Sequence, residues 1–114
     1  MKEGKKILLN LLEKSKSLKI TDKSLIWNTE LVEALELNNL LIQSIASIDT
    51  ALSREESRGA HAREDYKLRD DKKWLKHLLT FVEHTGKTKI RSRKVNLKTN
   101  SKEIKTIEPK ARVY

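Results

Sequence analysis

The sequence predicts a mainly α-helical domain: three helices, then an extended basic C-terminal arm with short strands. Apolar residues recur at three- and four-residue steps in three stretches before residue 84. Asn28-Thr29 and Asp70-Asp71 stand where the second and third helices would begin, as N-cap residues do. The last thirty residues carry much charge and few apolar side chains, too few for a core of their own.

The first helix is expected over residues 5 to 14, where Ile7, Leu8, Leu11 and Leu12 share a face with Lys and Glu between them. Residues 15 to 27 form a polar connection with turns at Ser17 and Thr21-Asp22. Its Leu18, Ile20, Leu25, Ile26 and Trp27 are expected to pack against the core. The second helix starts after Asn28, with Glu30 and Glu33 meeting the positive end of the helix dipole. Leu31, Leu35, Ile42, Ile45, Ile48 and Leu52 form its stripe, and Leu37, Leu40, Leu41 and Ala51 widen it. A helix so apolar needs a neighbour on two sides. Gly59 is the expected stop, because glycine takes the left-handed conformation that follows a last helical turn. Trp74, Leu75, Leu78, Leu79 and Val82 define a third helix ending before Gly86. Residues 89 to 97 and 103 to 107 alternate apolar and polar side chains, as short strands do. The expected division is a helical part, 1–84, and an arm, 85–114.

A chain of 114 residues with 37% hydrophobic and 36% charged side chains has material for one modest core. It contains no cysteine, which excludes disulfides, thiolate zinc sites and cysteine-held iron-sulfur clusters within it. Lys2, Glu3, Lys5 and Lys6 surround the short run Ile7 to Leu9, unlike a signal peptide, and no run is long enough to span a bilayer. The net charge of +9 is uneven: residues 29–53 carry four acids and no base, whereas residues 85–114 carry ten bases and two acids.

The three histidines, His61, His77 and His84, do not make a metal set. The last two would lie two turns apart on one helix face, and no third ligand completes them. No serine or threonine sits in a nucleophile elbow, and Gly4, Gly59 and Gly86 make no phosphate loop. No catalytic, cofactor-binding or metal-binding residue is therefore assigned. Residues 54–73 hold seven bases and six acids, and this balance suits a fixed ion-pair network better than a nucleic-acid surface. The expected structural or contact network is Arg58, Gly59, His61, Arg63, Arg69, Asp70, Asp71, Trp74 and His77. The basic arm leaves a second reading open, a free-standing adaptor that binds nucleic acid or an acidic protein through residues 85–114. With Tyr114 as its one aromatic residue, the arm offers no stacking platform, and no specific nucleic acid is expected.

The run Glu56-Ser57-Arg58-Gly59-Ala60-His61-Ala62-Arg63-Glu64-Asp65-Tyr66, followed by Arg69-Asp70-Asp71, Trp74 and Lys76-His77, resembles the C-terminal helical domain of the succinate dehydrogenase and fumarate reductase flavoprotein subunits. Leu25 to Leu37 resembles the approach to that family's long helix, and Pro109 to Tyr114 its C-terminus. L-aspartate oxidases share the Ser57-Arg58-Gly59 element, but the closing Lys110-x-Arg112-x-Tyr114 pattern favours the dehydrogenase branch. The chain departs from the family at Lys67 and Glu108, where the family often has proline.

The resemblance implies a three-helix, up-and-down, spectrin-repeat-like bundle with an arm returning over the flavoprotein. It implies a parent enzyme that oxidises succinate to fumarate, with FAD and the substrate residues held earlier in its chain and none here. The implied partners are the remainder of the flavoprotein, an iron-sulfur subunit and, indirectly, membrane anchor subunits. The implied location is the cytoplasmic side of the bacterial inner membrane, or the mitochondrial matrix side. The piece itself, read as starting within its parent and ending at the natural terminus, is expected to be soluble, flavin-free and inactive, with self-association open to it.

Overall fold

The computed structural model describes residues 1–110. The elements in chain order are α1 (Lys2–Ser15), α2 (Thr29–Ser53), α3 (Asp71–Trp74), β1 (Lys76–Val82) and β2 (Thr88–Lys94). The chain divides into two compact units, one of Met1–Ser53 with Thr80–Ile90, the other of Arg54–Leu79 with the residues from Arg91 onward. Ala111, Arg112, Val113 and Tyr114 lie outside the described residues, and with them most of the closing motif.

In the first unit α1 packs on α2. Leu12, Leu41 and Ile45 are buried, with Leu8, Leu9, Leu37, Ile42 and Val82 packed around them. Asn28 caps α2 as expected: its side-chain oxygen accepts the Leu31 N–H at 2.8 Å, one of the amides a helix start leaves unpaired. Asp49 is buried on α2 and paired with Lys5 Nζ at 2.6 Å, while the Thr88 hydroxyl donates to its other oxygen. A buried charge without such partners would cost several kcal/mol.

The fold is mainly helical, but the third helix is not the one expected. Asp70 does cap a helix, its carboxylate accepting the Lys72 and Lys73 amides at 3.0 Å each. That helix, α3, is a single turn and stops at Leu75, whose ψ of 66° leaves the helical region. Residues 76–82 continue as β1 and pair with β2, so one long pair of helices with a hairpin replaces the three-helix bundle. Leu78 and Val82 fit a helical period and a period of two equally well. The choice falls to β-branched Thr80 and Val82 beside Phe81, which suit a pleated surface. Burial then alternates along β1, with Leu78, Thr80 and Val82 turned inward. Only a few residues separate the strands, so they run antiparallel. The link is closed by Glu83 N–H to Lys87 O at 2.9 Å and Gly86 N–H to Glu83 O at 2.8 Å.

Three further expectations change. α2 ends at Ser53, well before Gly59. Leu25, Ile26 and Trp27 are 88%, 78% and 95% exposed, not packed on the core, and Leu18 is half exposed. Polar bonds hold their loop: Glu30 accepts the Thr21 and Asp22 amides at 2.8 Å, and Asn28 Nδ2 donates to Asp22 O at 3.0 Å and Ser24 O at 2.8 Å. The alternation at 103–107 forms no strand; among the described residues the chain after Lys94 is irregular and mostly exposed.

Gly86 has φ of 80°, and a Cβ there would stand 2.8 Å from Leu9 Cδ2 and 3.0 Å from Leu12 Cδ2. Gly86→Ala therefore adds a strained backbone to an overfilled core. It should lower the unfolding free energy by about 1–3 kcal/mol in urea titrations.

Candidate functional site

The network predicted between residues 54 and 77 is organised around a residue absent from the predicted set. Glu56 has 0% exposure. It sits between two arginines in the sequence Arg54-x-Glu56-x-Arg58, and both turn onto it. Arg54 Nη1 donates to Glu56 Oε1 at 2.5 Å; Arg58 grips both oxygens, Nε to Oε1 at 2.7 Å and Nη2 to Oε2 at 3.0 Å. The Asp70 backbone N–H adds a fourth donor to Oε2 at 2.9 Å. Burial alone would push this carboxyl up, but the bonds from Arg58, Asp70 N–H and Arg54 outweigh it and hold the pKa down at about 2.

The arginines carry the order outward. Arg54 also donates to the carbonyls of Trp74 at 2.8 Å and Lys76 at 2.7 Å, the end of α3 and the start of β1. Arg58 Nη2 reaches Asp71 at 2.5 Å, and Arg69 grips the same carboxylate with two bonds of 2.8 and 2.9 Å. The hydrogen bonds from Arg69 and Arg58 bring the Asp71 pKa down to about 2. Arg69 Nη1 also donates to Lys110 O at 2.7 Å, tying down the end of the described chain.

A second cluster lies beside the first. Arg58 and His61 exchange backbone bonds of 2.8 and 3.0 Å across a two-residue link, with Gly59 at φ of 57° in its first position. His61 Nε2 lies 3.2 Å from Arg54 O. Arg63, buried, forms a two-pronged pair with Asp65 at 2.7 and 2.6 Å, donates to Arg54 O at 3.1 Å and lies 4.9 Å over the Tyr66 ring. Ser57 Oγ accepts the Arg63 N–H and donates to Tyr66 O, both at 2.8 Å. Trp74 is buried with Arg54, Lys73 and Lys76 around its ring at 5.5, 5.1 and 4.8 Å.

Of the nine predicted residues, the structure gathers Arg58, Arg69, Asp70, Asp71 and Trp74 about Glu56 and its partner Arg54, and Gly59, His61 and Arg63 in the adjoining turn. His77 is exposed on β1 and makes none of these bonds, and His84 is in the hairpin turn, so the two do not share a helix face. Sequence reasoning missed Glu56 and Arg54. The signal was an acid with arginine two residues away on either side, which in an extended segment places all three side chains within reach of one another.

This arrangement fixes shape. Glu56 has its lone pairs filled and stays ionised at neutral pH, so it neither takes up nor delivers a proton there. Beside the cluster, Tyr66, Leu68 and Arg69 line an open surface depression of about 750 Å³. The glycines do not form a phosphate cradle: the Cβ position of Gly86 is filled by Leu9 and Leu12, Gly59 closes a tight link, and a Cβ on Gly4, in the first turn of α1, would stand 3.1 Å from Ile48 Cδ1. Among the described residues no group of three or more His, Cys, Asp or Glu side chains is placed to hold a metal. Among the described residues no helix is long and apolar enough to cross a membrane.

The fold is mainly helical, and residues 54–76 are held together by a network of ion pairs around the buried Glu56. The family model described as fumarate reductase flavoprotein C-term matches residues 1–114. The Rickettsia bellii succinate dehydrogenase flavoprotein subunit is 49% identical over 112 residues, 98% of this chain and 19% of that protein. The mitochondrial succinate dehydrogenase flavoprotein subunit of Oryza sativa is 45% identical over 114 residues, 100% of this chain and 18% of that one. A solved E. coli quinol fumarate reductase FrdA chain superposes with a TM-score of 0.82 at 35% identity, covering 99% of this chain and 18% of that chain. The chain belongs to the C-terminal domain family of the succinate dehydrogenase and fumarate reductase flavoprotein subunits. It spans about a fifth of the length of the curated relatives it matches.

The Glu56 carboxyl lies below its ordinary value in the folded chain. Its contribution to stability is therefore complete above about pH 4.5 and is lost as pH falls toward about 2. Urea unfolding between pH 7 and pH 2 should show that decline, and Glu56→Gln should flatten it while lowering stability at pH 7 by about 3–5 kcal/mol, the cost of breaking a buried pair.

Proposed function

We propose that this chain is a non-catalytic C-terminal domain of a succinate dehydrogenase flavoprotein, supporting the folding of that subunit and its contacts with neighbouring domains and subunits. The observation that carries the reading is the match along the whole chain to a C-terminal family model, together with relatives named as succinate dehydrogenase flavoprotein subunits. The ion-pair lock supports it, since its residues are engaged with one another and not poised for proton transfer. In this reading residues 1–84 and 85–114 act together as one domain, and Arg58, Gly59, His61, Arg63, Arg69, Asp70, Asp71, Trp74 and His77 have structural and contact roles.

The parent enzyme would oxidise succinate to fumarate, passing electrons to FAD, then through iron-sulfur centres to quinone. FAD and succinate would be held by the rest of the subunit. The partners would be that remainder, an iron-sulfur subunit and, through it, membrane anchors. The complex would sit as a peripheral assembly on the cytoplasmic side of a bacterial inner membrane, or on the matrix side in a mitochondrion.

The test is a chimera in which this chain replaces the matching segment of the Rickettsia bellii subunit. It should purify with flavin bound and, with its partner subunits, reduce an electron acceptor in the presence of succinate. A version with the segment deleted should do neither. A folded chimera without flavin or activity would overturn the proposal, as would full activity after deletion.

A further inference from the structure

We infer that Leu25, Ile26 and Trp27, together with Val32 and Leu35 on the first turns of α2, form the surface through which this chain docks on the remainder of its flavoprotein subunit. The inference rests on the reading above and adds the place and chemistry of the contact. The apolar surface it binds would carry arginine or lysine at its edge.

Three consecutive large apolar side chains at 88%, 78% and 95% exposure are a costly display in water, and Val32 and Leu35 extend it at 53% and 65%. Leu25, Trp27, Leu31 and Val32 line a cleft of about 470 Å³ with Glu33 and Glu36 at its edge. The patch lies opposite the packed side of α2. Val32 and Leu41 are nine residues apart, about 180° around the helix at roughly 100° per residue, and Leu41 is in the core. The second apolar side of α2 therefore has no cover among the described residues.

The loop is built to hold this display. Trp27 has φ of 53°, a left-handed conformation that costs a non-glycine residue about 1–2 kcal/mol. Asn28 and Glu30 hold the segment before it through the backbone bonds described above, and Ser24 N–H donates to Asp22 Oδ1 at 2.8 Å. A loop ordered before binding loses little entropy when it docks.

Two observations choose the occupant. The chain spans 19% of the Rickettsia bellii relative, so four fifths of such a subunit is available to cover the face. Its edge is acidic: Glu33 and Glu36 line the cleft, while Lys23, the nearest base before it in sequence, donates to Ile20 O. A two-fold pair of this chain through the same patch would set those carboxylates against their copies, whereas a basic-edged partner would complement them.

The two tryptophans supply the test, since Trp74 is buried and serves as an internal standard. Hydroxyl-radical footprinting of the isolated chain and of the Rickettsia chimera should show Trp27 oxidised fast in the first. In the second its rate should fall on the order of tenfold, as for a residue in an interface core, with Trp74 unchanged. Leu25→Ser with Trp27→Ser should leave the urea midpoint of the isolated chain unchanged and lower the Tm of the chimera by several degrees. Equal Trp27 rates in both proteins, with flavin retained, would overturn the docking face and leave the proposed function standing. A Trp27 protected in the isolated chain in proportion to its concentration would make a second copy the occupant and overturn the inference. A chimera that folds without flavin or activity would overturn the reading beneath it.

Discussion

A carboxylate taken wholly out of water must recover its hydration from the protein, and Glu56 recovers it from four donors spread between residues 54 and 70. Arg54 stands just after α2, Arg58 opens the Gly59 turn, and Asp70 is the cap of α3. The desolvation penalty of several kcal/mol for an isolated buried ion makes every arrangement that leaves one donor away unfavourable. The acid thus acts as a constraint on the backbone: residues 54–71 have few apolar side chains to pack, and polar satisfaction fixes their path. Arg54 extends the constraint by bonding the carbonyls where α3 ends and β1 begins.

The unit containing α1 and α2 solves a different problem with apolar side chains. Leu12, Leu41 and Ile45 supply its core, and its one buried acid, Asp49, is answered by Lys5 and Thr88. Gly86 brings the hairpin turn against α1, where a Cβ would force the Leu9 and Leu12 side chains to shift. Both units contain a buried carboxylate with a partner from a distant part of the sequence, the Asp70 N–H for Glu56 and Lys5 and Thr88 for Asp49. In each, the acid bonds segments that lie far apart in the sequence.

The α1 and α2 helices and the Asn28 and Asp70 caps were legible because they depend on local chemistry: helical period and a side-chain acceptor ahead of a free amide. What followed Asp70 was not legible. Leu78 and Val82 satisfy two periods at once, and the decision lay with the pairing of β1 to β2, a contact no local pattern records. Gly59 was read correctly as needing positive φ but placed in the wrong structure, a two-residue link in place of a helix stop. The exposure of Leu25 to Trp27 misled for a related reason, because apolar composition says that a segment seeks cover without saying whether its own chain provides it. Within the network, the charge balance of residues 54–73 pointed to ion pairing, but it gave no rank among the acids. Glu56 stands out through its flanking arginines and, above all, through its burial.

These two kinds of order have different consequences for how a chain meets its surroundings. Around Glu56 the polar groups close on one another, both carboxylate oxygens being filled by donors of this chain. An apolar face such as that of Leu25, Ile26, Trp27, Val32 and Leu35 is the opposite, unsatisfied until covered and indifferent to fine angle once it is. The strained backbone of Trp27, held by Asn28 and Glu30, joins them, since local polar bonds there support the display of an apolar surface.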